Sequence, residues 1–408
     1  MAETIVLTAV VGGRPNLMKM APIVRAIELH NRHGALPRLQ LCLVHSGLPN
    51  DPRLTDTTWG DLQMPQPDVH LGVGNGGATE QTAKIMIALQ RFLNENPSDG
   101  VLVVGDSEAA LAGSLTAAKA RLPIFHVEAG LRSGDKSMPE EINRMITDSL
   151  AALRLTPSPD ADANLIGEGA QPHTVQCVGN VMIDNLFCHI QRSRHSDVLE
   201  RLGLVVEHVT PMGMATVQVG EVPRFGVITL TRPENLERPE ALGSILRTLT
   251  GVSRMGPLVF PASTATRKRI EELDLDDYVA DLSARLESNG GLSPGLPPGL
   301  YTLPPMAYLD FLRVLSESAV VFTDSGGIQE ETTAMGIPCI TLRDETERPI
   351  TVSQGTNILV GQDRERLRQE GIAAFSGHGK RGRIPHLWDG HASERVVAGI
   401  VGYYRTGG

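Results

Sequence analysis

Short apolar runs alternate with longer amphipathic stretches along this chain, and that alternation constrains its fold more than any other feature. The runs rich in β-branched residues and the amphipathic stretches of the first half lie, in chain order, at residues 5–11, 17–30, 39–44, 79–94, 100–104, 109–120 and 124–127. Alternation of this kind builds βαβ units, in which helices cover both faces of a parallel sheet. It resumes after about residue 183, at residues 226–230, 240–249, 257–260, 319–323 and 338–342. The sequence therefore predicts an α/β protein with two doubly wound, Rossmann-like domains.

The length and net charge of the chain limit the classes of protein to which it can belong. A chain of 408 residues exceeds what one hydrophobic core usually serves, which favours two domains. With 47 acidic and 37 basic residues, the formal net charge of -10 argues against a general nucleic-acid or anionic-membrane surface. We expect an anionic ligand, if there is one, to be held by local groups.

Cysteine spacing and hydropathy indicate the cellular compartment of the protein. The four cysteines form no CxxC pair and have no histidines at zinc-finger spacing; they are Cys42, Cys177, Cys188 and Cys339. We expect free thiols and no metal site. The N-terminal segment lacks the features of a signal peptide, and no apolar run approaches the ~20 residues that span a bilayer. The sequence therefore predicts a cytoplasmic protein without a membrane partner.

A glycine turn follows the first predicted strand. The strand ends at Gly12 and Gly13, and the helix that follows carries Arg14 at its start and Lys19 one turn further on. Glycines let a ligand approach the backbone, and the N–H groups at a helix start favour an anion. A phosphate or sugar site is one interpretation. A plain glycine turn with solvated basic side chains is the alternative, because a single glycine turn is a weak signal.

A second glycine turn lies in the other half of the chain. An apolar strand leads into Asp324, Ser325, Gly326 and Gly327, and the helix that follows carries a pair of glutamates that ends at Glu331. The serine can cap this helix or bind a phosphate oxygen, and the glycine amides face the same anion. A glutamate one turn into the helix can take ribose hydroxyls. An ordinary serine cap is the alternative, but the combination favours nucleotide binding.

Three carboxylates follow strands or turns where an open α/β sheet places its active site. Asp106 follows one apolar strand, Glu128 follows the next, and Glu140 opens a helix together with Glu141. Each carboxylate could instead be a helix cap or a surface charge. Three that face a common cleft would shift one another's pKa values, which suits acid–base catalysis.

Several collinear motifs together resemble the UDP-N-acetylglucosamine 2-epimerase family, in its non-hydrolysing bacterial branch. They are GGRPNLMKMAP, VVGDSEAALA, HVEAGLRSGD, MPEEINR, GNVMID, TDSGGIQEE, RDETERP and DGHASER. The resemblance implies a two-domain fold like that of GT-B glycosyltransferases, with the domains facing a cleft. We expect an N-terminal domain over residues 1–182 and a UDP-binding domain over residues 183–390. A C-terminal helix within residues 391–408 would pack back on the first domain.

The same resemblance implies roles for individual residues. Asp106, Glu128 and Glu140 would form the acid–base group, and Glu331 would bind the ribose. The other substrate-binding residues would be Arg14, Lys19, Arg144, Thr231, Arg232, Ser325, Gly326, Gly327 and Arg348. The implied reaction is an anti elimination of UDP that gives a 2-acetamidoglucal, followed by re-addition of UDP with the proton delivered to the other face of C2. No cofactor or metal is implied, and the enzyme would be a homodimer.

Three departures from the family pattern leave alternatives open. Thr231 and Ser263 stand where relatives usually have histidines, and His45 lacks the neighbouring glutamine that many relatives use for activation by substrate. A hydroxyl cannot replace an imidazole as a charged partner or proton donor near neutral pH. The alternatives are a hydrolysing 2-epimerase that releases UDP and N-acetylmannosamine, a GT-B-type glycosyltransferase, and a non-catalytic nucleotide-sugar binder. We favour a working epimerase, because binding alone needs no acid–base group.

Overall fold

Two compact units make up the chain. The computed structural model describes residues 3–49, 56–74, 76–205, 224–287 and 295–407. Unit 1 comprises Met1–Cys188 and Pro385–Gly408, and unit 2 comprises His189–Ile384. Each unit has a seven-stranded parallel sheet with helices, which confirms the predicted α/β class. Among the described residues, no helix combines the length and apolar character needed to cross a membrane.

Unit 1 alternates strands and helices from its first residues onward. Its strands are β1 (Thr4–Val11), β2 (Arg38–His45), β3 (Val69–His70), β4 (Gly100–Val104), β5 (Ile124–Val127), β6 (Leu153–Thr156) and β7 (Val175–Cys177). Its helices before unit 2 are α1 (Arg14–Arg32), α2 (Asp56–Leu62), α3 (Ala78–Glu95), α4 (Glu108–Lys119), α5 (Pro139–Leu150), α6 (Pro159–Gly167) and α7 (Val181–Ser193), the last of which runs into unit 2. The strand order is β3-β2-β1-β4-β5-β6-β7, and every neighbouring pair is parallel.

Unit 2 repeats this plan. Its strands are β8 (Gly226–Thr229), β9 (Leu258–Pro261), β10 (Ala280–Asp281), β11 (Leu300–Leu303), β12 (Val320–Thr323), β13 (Cys339–Thr341) and β14 (Asn357–Leu359). Its helices are α8 (Val198–Leu202), α9 (Pro233–Leu236), α10 (Pro239–Val252), α11 (Thr264–Glu272), α12 (Ser283–Leu286), α13 (Tyr308–Ser316), α14 (Gly326–Met335), α15 (Pro349–Ser353) and α16 (Arg364–Phe375), and the last helix, α17 (Ala392–Thr406), belongs to unit 1. The strand order is β10-β11-β9-β8-β12-β13-β14, again with parallel neighbours.

The strand order reverses once in each sheet, and the reversals position the candidate sites. In unit 1 the reversal lies between β1 and β4, and in unit 2 it lies between β8 and β12. The loops that follow two such strands leave toward opposite faces of the sheet and open a crevice at the carboxyl ends. Both predicted glycine turns and Asp106 lie at the carboxyl ends of these four strands.

Alternate residues of the central strands feed two separate cores in unit 2. Val227 and Val259 face one core, which α8 and α13 cover, whereas Ile228 and Phe260 face the other, which α10 and α16 cover. The strands are therefore buried on both faces, as a parallel sheet between helices requires.

One strand lies where the sequence predicts a loop. Residues 288–305 are so rich in glycine and proline that they predict a surface loop. Residues 288–294 lie outside the described residues, but β11 contradicts the prediction for residues 300–303. This strand is fully buried and pairs with β9. Its apolar and β-branched side chains fit a buried position next to β9, and this tertiary pairing outweighs the flanking prolines.

The last helix is tied to unit 1 by a buried carboxylate of α7. Asp184 accepts hydrogen bonds from the Ala392 N–H at 3.0 Å and from the N–H and hydroxyl of Ser393, both at 2.6 Å. These donors belong to the first turn of α17, so Asp184 caps that helix from outside it. Just before α17, the buried Trp388 indole donates to the Pro157 carbonyl at 3.0 Å.

Replacement of this cap is expected to destabilise unit 1. Asp184→Ala leaves the first-turn donors of α17 without their acceptor, and we expect the free energy of unfolding to fall by about 2 kcal/mol. Urea unfolding followed by tryptophan fluorescence measures the change, because the only two tryptophans of the sequence, Trp59 and Trp388, belong to unit 1. The matched control is Glu95→Ala, which removes an exposed carboxylate at the end of α3. An Asp184→Ala midpoint equal to that of the control would contradict the capping role.

Candidate active site

A buried asparagine joins the two strand ends at the reversal in unit 1. Asn16, on the first turn of α1, donates to the Val104 carbonyl at the end of β4 at 2.7 Å. Its side-chain oxygen accepts from the Gly12 N–H at 3.1 Å and from the Ser107 hydroxyl at 2.8 Å. One side chain thus holds the glycine turn after β1 and the cap of α4 in a single arrangement.

Lys19 and Glu128 form a buried ion pair at this edge of the sheet. Their side chains are 10% and 4% exposed. Glu128 has a φ of 66°, which lies in the left-handed region of backbone conformation. This conformation is unfavourable for any residue that has a side chain. Gly105 makes room for the pair, because a Cβ atom there would lie 3.0 Å from both Lys19 Nζ and Glu128 Oε2. The Glu128 carboxylate is therefore held toward Lys19 by the surrounding structure.

Asp106 is bound by two residues of α5. The Arg144 guanidinium donates to its carboxylate, and the Asn143 side chain donates to its carbonyl at 2.9 Å. Arg144 also donates to Glu141 Oε2 from Nε at 3.0 Å and from Nη2 at 2.7 Å. The structure thus links Asp106, which the sequence predicts to be catalytic, to a carboxylate that the sequence did not single out.

Glu141 and Glu140 differ sharply in their surroundings. Glu141 is buried and accepts from the N–H groups of Ser133 and Gly134, each at 3.0 Å. Burial alone would raise the pKa of Glu141, but these backbone donors and Arg144 outweigh it and lower the pKa. Glu140 is half-buried in the first turn of α5. Glu141 therefore orders the loop before α5, while Glu140 stays the candidate for chemistry.

In unit 2, one buried aspartate holds the loop that contains Thr231. Asp324 follows β12 and is fully buried. Its carboxylate accepts from the Thr231 N–H at 2.9 Å, the Thr231 hydroxyl at 3.0 Å, the Arg232 N–H at 3.0 Å and the Asn235 side chain at 3.0 Å. The Thr231 hydroxyl, at the position of a family histidine, is thus directed to a structural carboxylate.

The start of α14 combines exposed amides with a nearby cation. Ser325 occupies the cap position, but its side chain makes no capping hydrogen bond, and its N–H donates to Thr323 Oγ1 at 3.0 Å. A Cβ atom at Gly326 would lie 2.4 Å from Arg348 Nη1, so the guanidinium fits beside the helix start because the residue is glycine. Helix-start amides and a guanidinium both favour a negatively charged ligand.

A network of buried charges supports Arg348. Arg348 Nε lies 2.7 Å from Glu330 Oε1, Arg343 Nη1 lies 2.8 Å from Glu347 Oε2, and Arg232 Nη2 lies 3.5 Å from Glu347 Oε1. Burial alone would raise the pKa of Glu347, but the charges of Arg348 and Arg343 outweigh it and lower the pKa to about 2. Arg348 is thus held next to the start of α14 by buried carboxylates.

The predicted site residues fall into two groups, one in each unit. Unit 1 holds Arg14, Lys19, Asp106, Glu128, Glu140 and Arg144. Unit 2 holds Thr231, Arg232, Ser325, Gly326, Gly327, Glu331 and Arg348. Arg14 is the half-buried first residue of α1, and Glu331 is buried on α14.

Ser263 and His45 are two of the departures from the family pattern, and each makes contacts within the fold. Ser263 caps α11, since its hydroxyl accepts from the Thr266 N–H at 3.0 Å. His45 is buried at the end of β2, with its Nδ1 3.0 Å from Nδ1 of His70, and it lines a cavity of about 200 Å³. Within the described ranges, no group of three or more histidine, cysteine, aspartate or glutamate residues could hold a metal ion.

The chain is similar to known proteins along most of its length. Residues 31–401 match the family model of UDP-N-acetylglucosamine 2-epimerase. The chain is 33% identical over 393 residues to the UDP-N-acetylglucosamine 2-epimerase of Methanocaldococcus jannaschii, covering 96% of this chain and 97% of that protein. It is 31% identical to the UDP-2,3-diacetamido-2,3-dideoxy-D-glucuronate 2-epimerase of Pseudomonas aeruginosa, covering 88% and 90% of the two chains. A solved structure of the M. jannaschii enzyme in complex with UDP-GlcNAc and UDP matches with a TM-score of 0.78 at 31% identity, over 98% of this chain and 99% of that one.

The pKa of Glu347 predicts a pH-dependent contribution to the stability of unit 2. A carboxylate whose pKa falls from 4.5 to about 2 on folding stabilises the fold fully above pH 4.5, and the contribution is lost as the pH falls toward 2. We expect Glu347→Gln to lower the free energy of unfolding of unit 2 by about 3 kcal/mol at neutral pH. The difference from the wild type should shrink below pH 4.5.

Hydrogen exchange in urea, read by mass spectrometry on peptides of unit 2, measures this effect independently of the tryptophans in unit 1. The matched control is Glu365→Gln on α16. The pKa of Glu365 is also lowered to about 2, first by its hydrogen bond to Arg368, but this pair is fully exposed. An exposed pair adds little stability, so the control should behave as the wild type. Equal effects of the two substitutions would contradict the role assigned to burial.

Proposed function

The chain belongs to the UDP-N-acetylglucosamine 2-epimerase family, and on that premise we propose that it interconverts UDP-N-acetylglucosamine and UDP-N-acetylmannosamine without net hydrolysis. The observation that carries the proposal is the set of ion-paired carboxylates at the strand ends of unit 1, in which Glu128 is buried and Asp106 is half-buried. A nucleotide-binding protein without turnover would have no need for such a set.

The diphosphate of the substrate is proposed to bind at the start of α14. The amides of Gly326 and Gly327, the uncommitted Ser325 hydroxyl and the Arg348 guanidinium would contact its oxygens. The Arg348 guanidinium beside the helix start supports this assignment, since a chain with a net charge of -10 needs a local source of attraction for an anion. Glu331, one turn into the helix, would bind the ribose.

The proposed reaction breaks and re-forms two bonds. A carboxylate base removes the C2 proton while the C1–O bond breaks and its electron pair leaves with UDP, which gives a C1=C2 double bond in 2-acetamidoglucal. UDP then adds its oxygen back to C1, and an acid delivers a proton to the opposite face of C2. Because no carbonyl is adjacent to C2, its proton is weakly acidic, and the charge that develops on UDP must be stabilised in the transition state.

The residues of unit 1 are proposed to supply the base and the acid. Asp106, Glu128 and Glu140 would share these roles. Arg144 and Lys19 hold two of them by ion pairs, so their carboxylates are positioned before the substrate arrives. Arg14, at the start of α1, would face the phosphate or sugar.

A second sugar is a candidate substrate, because the P. aeruginosa relative acts on UDP-2,3-diacetamido-2,3-dideoxy-D-glucuronate. The same C2 chemistry applies to both nucleotide sugars. Parallel assays with both compounds at equal concentration identify the preferred one by the ratio of their kcat/KM values.

Proton NMR in heavy water with UDP-N-acetylglucosamine tests the reaction. We expect deuterium at C2, a manno product and little free UDP. Asp106→Asn and Glu128→Gln should each lower kcat by about 100-fold or more, since they remove acid–base groups. Asp277→Asn, at an exposed position of unit 2, is the matched control and should keep the wild-type rate.

Two results would overturn the proposal. Accumulation of UDP with free N-acetylmannosamine would indicate a hydrolysing 2-epimerase. Absence of exchange at C2 with both nucleotide sugars, while calorimetry shows binding, would indicate a glycosyltransferase or a non-catalytic binder.

The Thr231 hydroxyl is expected to matter more for stability than for turnover. Thr231→Val removes its hydrogen bond to Asp324 and should lower the stability of unit 2 by about 1 kcal/mol, with kcat within about fivefold of the wild type. Thr231→Ser, which keeps the hydroxyl, should restore the stability. A large loss of kcat at unchanged stability would mean instead that the hydroxyl acts on the substrate.

The homodimer and the cytoplasmic location stay predictions from the sequence. Sedimentation of the purified protein tests the first, and fractionation of cells that express it tests the second.

A further inference from the structure

A fully buried histidine contacts the residue before Asp106 and precedes Glu128 by two positions in the sequence. His126, in β5, has its Nδ1 2.7 Å from Asp148 Oδ1 and its Nε2 3.0 Å from the Gly105 carbonyl oxygen. A backbone carbonyl only accepts hydrogen bonds, and so does an ionised carboxylate. If Asp148 is ionised, both ring nitrogens must carry a hydrogen, and the ring is an imidazolium.

The surroundings of Asp148 keep it ionised. Its second oxygen accepts from the Arg132 guanidinium at 2.7 Å and from the Gly130 N–H at 3.1 Å. Both donors favour the ionised form of the carboxylate. Arg132 is in turn held by Glu168, with two hydrogen bonds of 2.8 and 2.7 Å. Asp148 and Glu168 thus oppose the charges of the imidazolium and Arg132, while the Arg154 guanidinium, which donates to the Asp148 carbonyl at 2.7 Å, adds a further positive charge.

This histidine contacts the candidate site through the Gly105 carbonyl. Gly105 has a φ of 70° and immediately precedes Asp106, and it also packs against the Lys19–Glu128 pair. His126 lies two residues before Glu128 on the same strand end. One ring therefore contacts the peptide that leads into Asp106 and belongs to the strand that leads into Glu128.

We propose that His126, held as an imidazolium between Asp148 and the Gly105 carbonyl, is a positioning residue that sets the geometry of Asp106 and Glu128. It keeps both of its protons throughout and donates none to the substrate. The charged groups around it are Asp148 on α5, Arg132 in the loop after β5, its register partner Arg154 on β6, and the Lys19–Glu128 pair beyond Gly105. The effect on turnover rests on the proposed epimerase function, whereas the protonation state does not.

The protonation state is measured by NMR on wild-type protein labelled with ¹⁵N-histidine. The signals of His126 are identified by their loss in His126→Gln. Because both partners of the ring accept hydrogen bonds, we expect both ring nitrogens to show protonated shifts from about pH 7 to about pH 8, where an exposed histidine is largely neutral. A neutral ring with one unprotonated nitrogen in the middle of that range would overturn the proposal, whatever the activity of the enzyme.

Kinetics test the positioning role. His126→Gln loses the charge and the fixed ring, and we expect kcat to fall by about 100-fold while KM changes by less than about threefold. Asp148→Asn should act in the same direction. The double variant places two amides side by side without an uncompensated charge and should recover about tenfold in kcat relative to Asp148→Asn. The matched control is His173→Gln, at an exposed histidine of unit 1, and it should keep the wild-type kcat.

Tryptophan fluorescence, which reports on unit 1 through Trp59 and Trp388, shows whether each variant is folded. If the wild type has no epimerase activity, the proposed function fails, but the NMR result still decides the state of His126. If the wild type is active and His126→Gln keeps its kcat, the positioning role fails. A fall in kcat without recovery in the double variant, with unit 1 folded, would also contradict the proposed pairing of His126 with Asp148.

Discussion

The pairing of buried charges is the interaction on which both candidate sites depend. Lys19 with Glu128, Arg144 with Glu141, and Arg348 with Glu330 each lie where water is largely excluded. An unpaired charge in such a place costs several kcal/mol, so each partner constrains the position of the other. Glu128, which we propose for proton transfer, and Arg348, which we propose to bind an anion, are thereby fixed before any ligand arrives.

A single buried polar side chain joins the strand ends at the reversal in each unit. In unit 1 the side chain of Asn16 joins the ends of β1 and β4, and in unit 2 the Asp324 carboxylate joins the loop after β8 to the end of β12. In both cases one buried polar side chain satisfies backbone groups that parallel pairing leaves open at the carboxyl ends. The glycine turns are therefore held by long-range contacts as well as by their own sequence.

The sequence does not show how neighbouring residues of the same chemical type differ in their surroundings. Glu140 and Glu141 are the same residue type and follow one another in the sequence. Successive side chains of a helix point about 100° apart. The packing of α5 directs Glu141 toward the loop before the helix, where it accepts hydrogen bonds from the backbone. The missing histidine at Thr231 likewise suggested a change in chemistry. In the fold its hydroxyl supports a loop through Asp324, and Ser263 caps a helix.

The sequence by itself determined the α/β class, the positions of most strands, and the motifs that end at Asp106, Glu128 and Ser325, because hydrophobic periodicity and turn chemistry are local properties. Only the tertiary structure decided which of these groups meet. Lys19 and Glu128 are separated by 109 residues, and their contact depends on the order of the strands. The imidazolium arrangement of His126 was not visible in the sequence for the same reason, since it requires β5, α5 and the Gly105 turn to be packed together.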